Sequence, residues 1–246
     1  MEHYVIVGSG SGIGAELARI LAAPDVGLLL HTGSNDQRLA AMAESCRAAG
    51  AHVETCVGLT EAPALVETIE AWAAGLADGA LTGFIFAAGY AKLGHITDTA
   101  PHDLEEALRA MPLAFHRLTA LLAPKLSDRR GRILCISAFG AHRSKTHSYC
   151  ATAPAKAAME AQVRVFAANL APRGITVNAV VPGFVEKEPG TPSSLTPQQW
   201  GQVSAGIPMG RIGRRREIAA LAAFLLSENA GYVTGQSIHA NGGLTL

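Results

Sequence analysis

The chain has 246 residues, with 20 lysines and arginines against 20 aspartates and glutamates, so its formal net charge is zero. Hydrophobic residues make up 49% and aromatic residues 5%, a composition suited to one alanine- and leucine-rich α/β domain with a sizeable core. Basic residues are scattered except for Arg214-Arg215-Arg216, read as a solvated helix start rather than a nucleic-acid footprint, and no apolar run reaches the length that spans a bilayer.

The N-terminus enters a strand within a few residues, which leaves no room for a signal sequence. Val5-Ile6-Val7 runs into Gly8-Ser9-Gly10-Ser11-Gly12-Ile13-Gly14, and Ile13, Leu17, Ile20 and Leu21 recur at helical spacing beyond it. A strand, a glycine turn and a helix in that order form a dinucleotide cradle: bare backbone N–H groups approach a pyrophosphate at the positive end of the helix.

A second strand follows at 27–31, then a helix at 35–49 stopped by Gly50 and a third strand at 52–57. Leu65, Ile69 and Trp72 mark the next helix face, and a fourth strand at 84–88 ends at Gly89. Residues 101–126 hold one or two helices and 132–137 a fifth strand, while Met159, Val163, Phe166 and Leu170 form the buried stripe of a long helix. A sixth strand lies at 175–181. From 182 to 208, prolines, glycines and serines without a sustained period predict a loop, with residues about 183–208 lying as a lid over the site and Trp200 within it. Ile218, Leu221, Ala222 and Leu225 mark a last helix and 235–239 a last strand.

This alternation predicts a single-domain α/β Rossmann fold: a doubly wound parallel sheet with helices on both faces and a ligand crevice beyond the carboxyl ends of the strands. Cys46, Cys56, Cys135 and Cys150 form no C-x-x-C pair, which fits reduced thiols in a cytoplasmic protein. His31, His142, His147 and His239 show no ligand spacing, so no metal is expected.

Taken together, Gly8-x3-Gly12-x-Gly14, Ala88-Gly89 after a strand, Lys156-Ala157-Ala158 opening a helix, Val177-Asn178-Ala179-Val180-Val181-Pro182-Gly183, and the ending from Thr234-Gly235-Gln236 to Gly242-Gly243 resemble the short-chain dehydrogenase/reductase family. The resemblance covers essentially the whole chain in the right order. It implies binding of NAD or NADP, hydride transfer to or from a carbonyl or activated double bond, and commonly a homotetramer, with no nucleic-acid or membrane partner. It assigns to the cofactor Gly8, Ser9, Gly10, Ser11, Gly12, Ile13 and Gly14; Thr32, Gly33, Ser34 and Asn35 after the second strand; Leu59 after the third; Ala87, Ala88 and Gly89 after the fourth; Lys156; and Pro182, Gly183 and Val185 after the sixth.

The catalytic positions depart from the family pattern. Its asparagine falls near Met111, its serine at Ala138 and its tyrosine at Thr152, whose aliphatic hydroxyl is a far poorer proton donor than a phenol with a reference pKa of ~10. Tyr149, seven residues before Lys156, has a spacing similar to that of the enoyl-acyl-carrier-protein reductase branch, as is the run Lys156-Ala157-Ala158-Met159-Glu160-Ala161. Pro154 places the helix start near Thr152, with Thr152 as its cap and Tyr149 in the preceding loop.

The expected catalytic set is therefore Tyr149 donating to the substrate oxygen, Lys156 holding the nicotinamide ribose and lowering the phenol's pKa, and Ser137 supplying the missing hydroxyl, although strand alternation points Ser137 away from Ala138. Tyr90, just past Gly89, is the rival donor, and Asn178 is read as tying strand ends together. The function implied is reduction of a carbonyl or conjugated enoyl substrate, a small molecule or acyl thioester. The alternative is a cofactor-binding homologue that has lost catalysis and serves as a sensor or partner subunit.

Cofactor choice turns on residues 31–35, which carry no acid to repel a 2′-phosphate, while Ser34, Asn35 and Arg38 offer donors. Ser11 stands where many NADP-preferring relatives have a basic residue, and Gly58 where the family often has an adenine-contacting aspartate. NADPH is expected to bind at least as tightly as NADH in calorimetric titration; a clear preference for NADH would count against the assignment.

Overall fold

A computed structural model describes residues 1–144, 149–188 and 196–246. Seven strands, β1 (Glu2–Val7), β2 (Val26–Thr32), β3 (His52–Val57), β4 (Leu81–Phe86), β5 (Arg132–Ile136), β6 (Thr176–Pro182) and β7 (Ser237–Ala240), pair in the order β3-β2-β1-β4-β5-β6-β7, all parallel. The helices are α1 (Gly12–Leu21), α2 (Asp36–Ala48), α3 (Pro63–Ala74), α4 (Pro101–Leu108), α5 (Ala114–Leu122), α6 (Thr152–Leu170), α7 (Pro197–Ala205) and α8 (Arg215–Leu226). Strands β4, β5 and β6 are buried along their whole length, as expected where helices cover both faces, whereas the edge strand β3 is mostly exposed.

Each face of the sheet has its own core. On one, Leu65 and Ile69 of α3, Phe115 and Leu118 of α5, and Met159 and Val163 of α6 pack on Phe84 and Phe86 of β4. Phe115 is the centre of an aromatic group, with ring centroids 6.1 Å from Phe84, 5.6 Å from Phe86 and 5.6 Å from Phe166. Burying one such ring is worth roughly 1.5–3 kcal/mol. On the other face, Leu17 of α1, Leu39 and Met42 of α2, and Ile218 and Leu225 of α8 cover Ile6, Leu28 and Leu30. Strand order reverses between β1 and β4, and this switch point opens the crevice at their carboxyl ends.

Several local expectations are refined or corrected. The segment 101–126, expected to hold one or two helices, holds two, joined by a π-helical turn, Arg109–Leu113, with Pro112 inside it. Proline has no N–H to give the preceding turn; the Pro112 carbonyl accepts from Gln162 Nε2 at 3.0 Å, and Met111 is fully buried. The stretch 182–208 contains α7, opened by a capping box in which Thr196 Oγ1 accepts from Gln199 N–H and Gln199 Oε1 from Thr196 N–H. A helix this short hides its period, although Thr-Pro-x-Gln was a readable start signal. Residues 189–195 of that stretch, and His147, lie outside the described residues.

Thr152 is the first residue of α6 rather than its cap, which is Ala151, and its hydroxyl accepts from Lys92 N–H at 3.4 Å. Arg214-Arg215-Arg216 is only in part a solvated helix start: the Arg215 side chain is 12% exposed and is ion-paired with Glu16, Glu186 and Glu188. Trp72 is half-buried against its core, its indole N–H donating to Glu54 at 3.0 Å. Strand β4 ends at Phe86 and β5 at Ile136, so Ala87 to Gly89, and Ser137, lie just past the sheet. Among the described residues no helix is long and apolar enough to cross a membrane.

Candidate active site

The glycine turn is fixed by contact with the chain leaving β4. Gly8 takes φ +91°, and a Cβ there would stand 2.5 Å from the Ala88 nitrogen; a Cβ on Gly14 would run into the Gly8 carbonyl. Gly12, at φ +66°, faces open space. The first two keep the turn close, and the third leaves backbone N–H groups approachable.

His31 at the end of β2 ties this turn down. Its Nδ1 accepts from Gly8 N–H at 3.2 Å, and its Nε2–H donates to the Gly58 carbonyl at 2.8 Å. Burial holds its pKa below the ordinary histidine value. A protonated ring would lose the acceptor that Gly8 uses. Ser9, fully buried, adds a hydroxyl that accepts from His31 N–H at 2.9 Å. Sequence reading left His31 without a role, because its partners come from two other strand ends.

A cavity of about 550 Å³ lies over the turn, lined by Gly8, Gly10, Ser11, Gly12, Ile13, Thr32, Gly33, Ser34, Leu59, Ala87, Ala88 and Gly89 among the expected cofactor residues. Ser9, Gly14 and Asn35 are not part of this lining; Asn35 Oδ1 caps α2, accepting from Arg38 N–H at 2.9 Å. Glu61 and Glu106 join the lining without a signal in the sequence.

Pro182, Gly183 and Val185 instead line a second cavity of about 470 Å³, together with Tyr149, Lys156, Ala138, Phe139, Phe184 and Trp200. Tyr90 borders both cavities. Lys156 stands at the wall between them: its Nζ donates to the Ile136 carbonyl at 2.7 Å, and a Cβ on Gly89 would lie 2.8 Å from Nζ and 3.1 Å from Met111 Sδ. Ile136 and Gly89 both face the first cavity. Burial lowers the Lys156 ammonium to about 8.

Tyr149 is half-buried, its ring edge-on to Phe139 at 6.0 Å. Burial raises its pKa, which is opposite in direction to the lowering by Lys156 expected from sequence. Ser137 is turned away from the second cavity, whereas Ala138 lines it. The Ser137 hydroxyl donates to the buried Glu160 carboxylate, whose other oxygen is 2.8 Å from His142 Nε2. Asn178 donates from Nδ2 to the Val233 carbonyl at 2.7 Å and accepts from Gln236 N–H at 3.1 Å, tying β6 to the approach to β7. Phe184 packs 4.7 Å from Phe139 and 6.3 Å from Trp200, an aromatic wall that no local pattern announced.

A doubly wound sheet thus carries a glycine turn at its switch point, and a buried lysine stands between the cavity over that turn and an apolar one. The family model described as enoyl-(acyl carrier protein) reductase matches residues 7–245. The chain is 34% identical to 1-cyclohexenylcarbonyl-CoA reductase of Streptomyces collinus over 98% of its length and 86% of that protein's. To the uncharacterised oxidoreductase YmfI of Bacillus subtilis it is 31% identical, over 97% of each. Among solved structures, a short-chain dehydrogenase/reductase from Serratia marcescens superposes with a TM-score of 0.90 at 26% identity, covering 100% of this chain and 98% of that one. The chain belongs to the short-chain dehydrogenase/reductase family, whose members are NAD(P)-dependent oxidoreductases.

The His31 bridge has a pH signature. Its folded pKa lies below the ~6.5 of an unfolded histidine, so the unfolded chain takes up the proton first. The stabilisation is complete above about pH 6.5 and is lost as pH falls through the folded value. Urea midpoints followed from about pH 7.5 to 5 should fall with pH, and His31→Asn should flatten that slope; an unchanged slope would remove His31 as its source.

Proposed function

We propose that the chain is an NADP-preferring reductase of conjugated enoyl thioesters, with Tyr149 as the hydrogen-bond donor to the substrate oxygen and Lys156 holding the nicotinamide ribose. The observation that carries this reading is the placement of Lys156 between the two cavities, with Tyr149 on the wall of the apolar one. The open Gly12 and the side-chain-free Gly89 beside Lys156 Nζ fit a dinucleotide running from the glycine turn to the lysine. When bound, that cofactor supplies hydride from nicotinamide C4.

The remaining chemistry belongs to the chain. With a pKa of about 8, Lys156 is still mostly protonated at pH 7 and can donate to ribose hydroxyls. Tyr149, raised by burial, stays protonated and offers a hydrogen bond rather than a readily released proton. That suits an enolate oxygen, which needs charge stabilisation while hydride goes to the β-carbon. A simple ketone asks more, because its oxygen must acquire the proton itself, and here Ala138 has no donor and Ser137 is bound to Glu160. Arg143 and Lys187 in the cavity lining suit the phosphates of a carrier or coenzyme thioester. The preference for NADP rests on the absence of an acid at 31–35. Four free cysteines suit a reducing, cytoplasmic setting. The second reading, a cofactor-binding sensor or partner subunit without turnover, draws on Met111 and Ala138 at the usual asparagine and serine positions.

Leu108, Leu113 and Val165 are exposed on the α4, α5 and α6 side and are proposed to pair between copies in a homotetramer. Light scattering at micromolar concentration should give a tetramer mass, and a monomer alone would count against it.

Losing one preorganised donor typically costs about 2.7–4 kcal/mol, so Tyr149→Phe should lower kcat by about 10²–10³ while leaving NADPH binding largely intact. Lys156→Ala should weaken both. Assays on crotonyl-type thioesters and simple ketones decide between the outcomes: an active Tyr149→Phe beside a dead Tyr90→Phe moves the donor to Tyr90, and turnover of ketones alone removes the enoyl assignment.

A further inference from the structure

Helix α1 opens without a side-chain cap, since Ser11 makes none, and its first N–H groups have no partner within the helix. One of them, Gly12 N–H, donates at 3.3 Å to Oε1 of Glu188, which reaches it from the chain beyond β6. A carboxylate at this end of a helix occupies the place that suits a phosphate oxygen. Arg215 at the start of α8 is ion-paired with the same Glu188 and lies 3.8 Å from both Glu16 and Glu186. Its neighbours Arg214 and Arg216 are exposed, but Arg215 is not. Its Nη1 contacts the same Glu188 Oε1 that Gly12 N–H reaches, so two donors from distant parts of the chain converge on one oxygen, while its buried Nε makes no hydrogen bond, with Glu186 3.8 Å away.

A buried guanidinium N–H without an acceptor is costly, and a planar fork of five N–H groups is built for an anion with several oxygens. Glu188 supplies a single carboxylate, and with Glu16 and Glu186 it leaves three acids around one cation at an anion site. We propose that Arg215 is a ligand of the dinucleotide pyrophosphate, and that Glu188 is an internal anion that holds the pyrophosphate's place and competes with it. When the dinucleotide binds, phosphate oxygens replace the Glu188 carboxylate at Gly12 N–H and at Arg215; the step is an exchange of anions, with no covalent change. This rests on the dinucleotide reading of the glycine turn and adds two residues that the turn itself does not contain.

The test is calorimetric titration of the full chain, as wild type, Glu188→Gln, Arg215→Met and Arg215→Lys, with NADPH, NADH and ADP-ribose, and with adenosine as a probe lacking the pyrophosphate. Thermal midpoints confirm that each variant is folded. Glu188→Gln should tighten all three pyrophosphate ligands by about three- to tenfold, because a competing charge is gone. Arg215→Met should weaken them by about tenfold or more, with Arg215→Lys intermediate because it keeps charge without the fork. Adenosine binding should not move. If Arg215→Met does not fold, Arg215→Lys and Glu188→Gln carry the test. Unchanged affinity in the folded variants overturns the proposal, as does an effect confined to NADPH, which would place Arg215 on the 2′-phosphate instead. Failure of the wild type to bind any dinucleotide overturns the cofactor reading and this inference with it.

Discussion

The site depends on how closely the backbone after β1 approaches the backbone after β4. A single methyl group on Gly8 would stand 2.5 Å from the Ala88 nitrogen, while Ala87 N–H donates to the Val7 carbonyl at 2.8 Å. That close approach holds the crevice at the switch point to one shape. It also orders the rest of the floor, because Gly14 packs on the Gly8 carbonyl and thereby fixes where α1 begins. The His31 ring then spans from Gly8 to Gly58 and locks the ends of β1, β2 and β3 together.

Past the floor, burial decides the chemistry. Lys156 is a cation with its Nζ held by one backbone carbonyl, and four residues along the same helix Glu160 is a carboxylate held by Ser137 and His142. Both are among the few charged groups taken out of solvent, and each has partners that make its place affordable in a low-dielectric interior. On the apolar side, Tyr149, Phe139, Phe184 and Trp200 supply surface rather than charge. Burial pushes the Tyr149 phenol toward its neutral form.

Charge is arranged differently around the glycine turn. Glu61 and Glu106 line the cavity over the turn, and Glu16, Glu186 and Glu188 gather on Arg215. A surface that carries no net charge overall thus concentrates acids beside a helix N-terminus, and the one guanidinium among them is mostly buried. Local electrostatics here follow from which loops the sheet brings together, not from composition.

The sequence by itself determined the sheet, its parallel order and the place of the cradle, because apolar periodicity and glycine spacing are properties of short stretches that each strand or turn carries alone. It also placed Lys156, whose flanking segments fall in order along the whole chain. Strand alternation already turned Ser137 away from Ala138, but tertiary structure alone decided its partner Glu160, the service of His31, the burial of Arg215 and the reach of Glu188. Each depends on a partner far along the chain: Gly8 and His31 are 23 residues apart, Ser137 and Glu160 also 23, and Gly12 and Glu188 176. Asn35 was readable as a donor, and the structure adds that its amide oxygen caps its own helix, since an acceptor oxygen beside free N–H groups is used locally.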